Sequence, residues 1–179
     1  MLKEANDLPA LLGGTPVRPE PLPLYNTIGD AEKKAVMEVL DSGVLSGFAA
    51  QPNDDFYGGK WIKSLESDFC EYFNVKHAVA INSATTGLHA AVSAMGVGPG
   101  DEVIVPPYTM SATATCVLFC GAVPIFADID DEIFCIDPKS VESNITKNTK
   151  GIIAVNLYGH PAPLFELKKI ADKHGLFLI

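Results

Sequence analysis

The stretch HAVAINSATTGLHAAVSAMGVGPGDEVIVPP, residues 77–107, decides the fold. It opens with a short apolar run at 77–82 that reads as a buried strand. Small hydroxyl and amide residues follow, Asn82-Ser83-Ala84-Thr85-Thr86-Gly87. Residues 86–95 then carry Leu88, Ala91, Val92 and Met95 at helical spacing. Residues 96–100 form a glycine-rich turn. Residues 102–107 are apolar again, and Pro106 and Pro107 stop this second strand. Strand, helix and strand in about thirty residues make one βαβ unit.

The same alternation continues toward the C-terminus. A helix is expected at 111–120, stopped by Gly121, and a strand at 123–129. Asp137-Pro138 starts another helix, with Asp as N-cap and Pro at the first helical position. A strand follows at 151–158, then a helix at 164–174 capped by Gly175, then a strand from 176. Apolar strands alternating with amphipathic helices predict an α/β fold, a parallel three-layer αβα sheet covered on both faces.

The N-terminal side reads differently. Residues 31–40 place Ala35, Val36, Val39 and Leu40 at helical spacing, with Asp30 or Thr27 as cap and Gly43 as stop. Residues 44–59 form a polar, glycine-containing loop, longer than a connector needs. A second helix at 61–73 lines up Trp61, Leu65, Phe69 and Phe73. Before these, residues 1–24 hold Gly13-Gly14-Thr15-Pro16 and prolines 19, 21 and 23. They read as an extended arm, either laid across a partner subunit or frayed.

Composition excludes several functions. The 179 residues are 47% hydrophobic and 20% charged, with 13 Lys plus Arg against 22 Asp plus Glu and a net charge of −9. Such a chain repels nucleic acid and anionic membranes, and no apolar run is long enough to span a bilayer. Cys70, Cys116, Cys120 and Cys135 form no Cys-x-x-Cys pair and no zinc pattern, so they read as small buried hydrophobes in a reducing compartment. No basic, apolar leader opens the sequence, which makes the cytoplasm the expected location.

In an open parallel sheet, ligands bind beyond the carboxyl ends of the strands. After 77–82, Ser83, Ala84, Thr85 and Thr86 crowd a strand-to-helix turn. Free amides and hydroxyls at a helix start suit a phosphate, though a plain N-cap needs the same residues. The turn is neither a P-loop nor a dinucleotide fingerprint. After 102–107, Tyr108, Thr109 and Met110 are presented to a ligand. The carboxylates Asp128, Asp130 and Asp131 read as a solvated turn, and no metal site is expected. After 151–158 come Asn156, Tyr158 and His160, the last an acid–base candidate or a plain loop residue.

Taken in order, an early Gly-Gly-x-Pro arm, DSGVLSG, GGKWIKSLESDF, AVAINSATTGLHAA, GVGPGDEVIVPPYTMSATA, GAVPIFADID and TKGIIAVNLYGHPA resemble the DegT/StrS-type sugar aminotransferases. The resemblance runs from about residue 10 onward. It implies the N-terminal part of the large domain of a fold-type I transferase that uses pyridoxal 5′-phosphate. It divides the chain into an arm (1–24), helices with an active-site loop (25–76) and part of the cofactor-binding domain (77–179). Ser83, Ala84, Thr85 and Thr86 match the block that binds the cofactor phosphate. Met110 stands where the family usually has an aromatic residue stacked on the pyridine ring, and Tyr108 is its neighbour. Asn156, Tyr158 and His160 match a block near the active site. Where the family usually has an acidic residue after Pro-Ala, this chain has Pro163.

The implied reaction passes an amino group, typically from glutamate, to a keto-sugar, often nucleotide-linked, in a homodimer. The family's pyridine-pairing Asp and Schiff-base Lys fall beyond residue 179, so no catalytic residue is assigned here. Lys168, Lys169 and Lys173 sit on a flanking helix. By itself the chain is therefore expected to be an inactive fragment with an aggregation-prone apolar sheet edge. The alternative is a non-catalytic phosphate- or sugar-nucleotide-binding module, or a pseudo-enzyme.

Overall fold

The computed structural model describes residues 8–48, 50, 52 and 54–179. The first seven residues of the expected arm, and positions 49, 51 and 53 of the expected loop, lie outside the described residues. The chain divides into two compact units, Met1–Asp68 and Phe69–Ile179.

The first unit holds a short 3-10 turn at Ala10–Leu12, helix α1 (Asp30–Ser42), a 3-10 turn at Asp54–Tyr57 and the start of helix α2 (Lys60–Phe73). The cap of α1 is Gly29, one residue before the expected Asp30. The Glu32 carboxylate accepts the Gly29 N–H at 2.7 Å, which satisfies a donor that an Asp30 or Thr27 cap would leave alone. A Cβ on Gly47 would lie 2.3 Å from the Gly59 Cα. Only glycine lets the two ends of the loop touch backbone to backbone. Trp61, Leu65, Phe69 and Phe73 do line one face of α2, with Phe69 and Phe73 rings 4.6 Å apart, but each stays partly exposed.

The second unit carries the sheet. Helix α3 (Ala84–Ala94) comes first. Then follow β1 (Glu102–Val105), α4 (Ala112–Phe119), β2 (Val123–Phe126), α5 (Pro138–Ser143), β3 (Thr149–Ile152), α6 (Leu164–His174) and β4 (Phe177–Leu178). The four strands are parallel in the order β2-β1-β3-β4. β1 is central and buried on both faces, so it is apolar without alternation. Val103 and Val105 pack with Val92 of α3 and Cys116 and Val117 of α4. Ile104 points the other way, into Val141 of α5 and Leu167, Ile170 and Ala171 of α6. Two cores on opposite faces make three layers, the architecture read from the alternation. Pro124 lies in β2, an edge strand, where a missing ladder donor is tolerated.

Helix starts are decided locally. The Ser83 hydroxyl accepts the Thr86 N–H at 3.1 Å, and Asp137 accepts the Lys139 N–H at 3.0 Å with Pro138 next to it. Gly175 ends α6 in the left-handed conformation, as expected.

Two strands differ from expectation: the one expected at 151–158 is the shorter β3, Thr149–Ile152, and the one expected at 77–82 is missing from the sheet. Residues 77–82 do not join the sheet, and Val79 is 78% exposed. An apolar run becomes a strand only beside a neighbour that completes its ladder. Both sides of β1 are taken by β2 and β3, and the sheet edges here are β2 and β4. The thiols follow burial unevenly: Cys116 and Cys135 are buried, while Cys70 and Cys120 are only partly covered.

Two outcomes follow from this packing. A Cβ on Gly151 would lie 2.1 Å from the ring of Phe177, its register partner in β4. Gly151→Ala should lower stability by about 1–3 kcal/mol in denaturant unfolding, because the ring must leave. Gly98→Ala, with nothing within 4 Å, should not. After β2, the Asp130 carboxylate accepts N–H bonds from Ile133 at 3.1 Å and Glu132 at 2.9 Å, which hold its pKa below the ordinary value. Its stabilisation is present above the ordinary carboxylate range and lost as pH falls through the lowered pKa. The gap in denaturation midpoint between wild type and Asp130→Asn should be widest at neutral pH and close on acidification.

Candidate functional site

The chain leaves β1 toward β2 on one side and later returns to place β3 on the other. The loops after β1 and β3 therefore diverge, which is the arrangement that opens a ligand crevice at the carboxyl edge. Three loops reach this edge, residues 106–111, 127–137 and 153–163.

The first turn of α3 is the strongest anion feature. Ser83 is N-cap, and Ala84, Thr85 and Thr86 fill the first turn, all four exposed. The Ser83 hydroxyl takes the Thr86 N–H and also lies 3.0 Å from the Thr86 hydroxyl. This fixes the turn. The Ala84 and Thr85 amides have no acceptor within the helix, and the helix dipole adds positive potential there. Hydroxyls, outward amides and a helix start fit a phosphate group without any basic side chain.

After β1, Met110 is 77% exposed, and its carbonyl accepts the Thr113 N–H at 3.1 Å at the start of α4. Its thioether is presented outward instead of packing in the core. Tyr108 is turned toward the loop after β3, with its hydroxyl 3.1 Å from that of Tyr158. The Tyr108 hydroxyl beside it pushes the Tyr158 phenol above its ordinary pKa, so Tyr158 keeps its proton at neutral pH.

After β3, the loop is tied to itself. The Asn156 side-chain oxygen accepts the Ala162 N–H at 2.9 Å, so Asn156 shapes the loop. His160 Nδ1 lies 2.9 Å from the Pro161 carbonyl. A carbonyl only accepts, so Nδ1 carries the proton and a neutral ring keeps Nε2 as an acceptor. The structure thus joins Tyr108 to the β3 loop, while the Asn156 and His160 side chains bond within their own loop and the His160 carbonyl accepts from the Cys135 thiol at 3.7 Å.

One aromatic residue at this edge, Phe134, was not among the sequence candidates, and the left-handed backbone of Tyr158 was not foreseen. Phe134, after β2, has its ring 6.1 Å from Tyr108 and a φ of +59°. Tyr158 has a φ of +51°. Nothing local in the sequence marks a Phe or Tyr for left-handed backbone. The flanking lysines are engaged elsewhere: Lys168 pairs with Asp172, Lys173 with Glu142, and Lys169 lies 4.3 Å over the Phe165 ring. Among the described residues, no group of three or more His, Cys, Asp or Glu side chains is placed to hold a metal ion. Nor is any helix there long and apolar enough to cross a membrane.

Comparison with known proteins agrees with this geometry. The DegT/DnrJ/EryC1/StrS aminotransferase family matches residues 26–179. The chain is 37% identical over 159 residues to GDP-perosamine synthase of Vibrio cholerae, covering 88% of this chain and 41% of that one. It is 42% identical over 176 residues to L-glutamine:2-deoxy-scyllo-inosose aminotransferase of Streptomyces kanamyceticus, covering 95% and 39%. It superposes with a TM-score of 0.74 and 32% identity on NtdA from Bacillus subtilis with bound cofactor PMP, covering 84% and 33%. The chain thus spans about 40% of the length of these curated relatives. With a family match across most of its length and a helix start suited to a phosphate, the chain belongs to the DegT/DnrJ/EryC1/StrS aminotransferase family.

Proposed function

We propose that this chain is the phosphate-holding part of a pyridoxal 5′-phosphate-dependent sugar aminotransferase. The enzyme moves an amino group, from glutamate, to a keto-sugar that is nucleotide-linked. The observation that carries this reading is the capped, exposed amino end of α3. Bound there, the cofactor supplies an electron sink for amino transfer.

The residues of this chain bind and orient. Ser83 fixes the turn, the Ala84 and Thr85 amides and the Thr86 hydroxyl take the phosphate oxygens, and the α3 dipole favours the charge. Met110 offers a polarizable sulfur to the ring. Tyr108 faces the substrate, and His160 keeps one ring nitrogen to accept a proton. The cofactor-linking lysine is not assigned within residues 1–179, since Lys168, Lys169 and Lys173 are engaged on α6. Exposed Val36, Met37 and Leu40 on α1 supply apolar surface for a second copy in a homodimer. Four free thiols suit a cytoplasmic enzyme.

Ala84→Pro tests the cradle. Proline is favoured at the first helical position and lacks an N–H. Ser83, at φ −162° and ψ 156°, already has the extended backbone that precedes proline. The variant should fold normally and bind pyridoxal phosphate about tenfold to a hundredfold more weakly in equilibrium dialysis, as expected for one lost charge-assisted bond. Binding of pyridoxal, without phosphate, should not change. Equal phosphate affinity in both proteins would remove the cradle from the site. The activity itself is tested on the complete protein, loaded with pyridoxal phosphate, as glutamate-dependent amination of a nucleotide-linked keto-sugar. Binding of cofactor with no amino transfer would favour the non-catalytic module.

A further inference from the structure

The loop after β3 holds its tyrosine in an unfavourable backbone. Leu157 and His160 form an antiparallel bridge, and the His160 N–H donates to the Leu157 carbonyl at 2.8 Å. The two residues between them, Tyr158 and Gly159, have φ of +51° and +84°. Positive φ at both central positions is the signature of a type I′ turn, which favours Asn-Gly or Asp-Gly. Gly159 meets that demand. Tyr158, a bulky side chain, does not.

Burial does not compensate for this strain, because Tyr158 is 82% exposed. What its side chain reaches is Tyr108: hydroxyl to hydroxyl at 3.1 Å, with the rings edge to face at 6.3 Å. Tyr108 in turn meets Phe134, which also has left-handed backbone. Three loops, after β1, β2 and β3, therefore each send one aromatic ring to a single cluster. That cluster sits at the carboxyl edge where β1 and β3 diverge, where an open parallel sheet takes its ligand. Strain at an exposed residue in such a place points to function more than to folding.

We infer that Tyr108, Phe134 and Tyr158 form the wall that receives the sugar ring of the substrate, and that Tyr158 is a specificity-determining residue. Bonded phenols present one outward O–H donor together with oxygen lone pairs, and the ring edges and faces present apolar surface. A sugar ring offers the complement, hydroxyls around its rim and C–H groups on its faces. This inference rests on the keto-sugar reading above and adds the residue that discriminates among sugars.

The experiment compares wild type with Tyr158→Asn and Tyr158→Phe in the complete protein. The probes are UDP-glucose, dTDP-glucose and GDP-mannose, each set against its nucleoside diphosphate alone by calorimetric titration. Wild type is expected to bind at least one sugar nucleotide more tightly than its nucleotide. Tyr158→Asn should raise the melting temperature by about 2–4 °C, because Asn suits the turn. It should also lose about tenfold in affinity for the sugar nucleotide, with the nucleotide unaffected. Tyr158→Phe should lose sugar affinity without the gain in melting temperature, which separates the hydroxyl from the backbone. Three results would overturn the inference: no sugar preference in wild type, unchanged sugar affinity in Tyr158→Asn, or a fall in its melting temperature. Sugar binding that depends on Tyr158 in a protein that transfers no amino group would sink the aminotransferase reading and leave this one standing.

Discussion

The pairing of β1 with β3 is the interaction on which the rest of the sheet unit depends. β1 already has β2 on its other side, so the crossover to β3 sends consecutive strands to opposite flanks. Their loops part at the carboxyl edge, and the crevice between them is a consequence of strand order alone. The same pairing buries β1 on both faces and separates two cores. One is shared with α3 and α4, the other with α5 and α6.

The phosphate site proposed for this acidic chain would take its positive potential from backbone geometry. The start of α3 aligns amides and dipole at Ser83 to Thr86, and the Ser83 hydroxyl holds the first turn in shape. The two tyrosines add neutral donors in the loops after β1 and β3. Neither feature draws on a Lys or Arg, so neither changes the long-range field that keeps polyanions away.

Much of this was legible from residue order. The strands at 102–105 and 123–126 fall within the expected ones, β3 at 149–152 begins two residues before its expected strand and ends well short of residue 158, and the buried triplets Thr113-Cys116-Val117 and Leu167-Ile170-Ala171 sit at helical spacing. Ser83 and Asp137 were recognisable as caps because a cap and its amide lie two or three residues apart. The α1 cap was misplaced by one residue because the bond to Gly29 comes from the far end of a flexible Glu32 side chain. Residues 77–82 look like a strand by composition, yet the sheet does not include them, since pairing depends on a neighbour and not on hydropathy.

The sequence by itself determined which stretches are helical, which of their faces are apolar, and that small hydroxyl residues gather at the start of α3. Those are interactions within a few residues, and local order contains them. Only the tertiary structure decided which loops meet. Tyr108 and Tyr158 lie fifty positions apart, and their contact exists because β1 and β3 are neighbours. The Gly151 and Phe177 contact likewise follows from strand register. Left-handed backbone at Phe134 and Tyr158 has no composition signal either, because neither a Phe nor a Tyr favours it by itself.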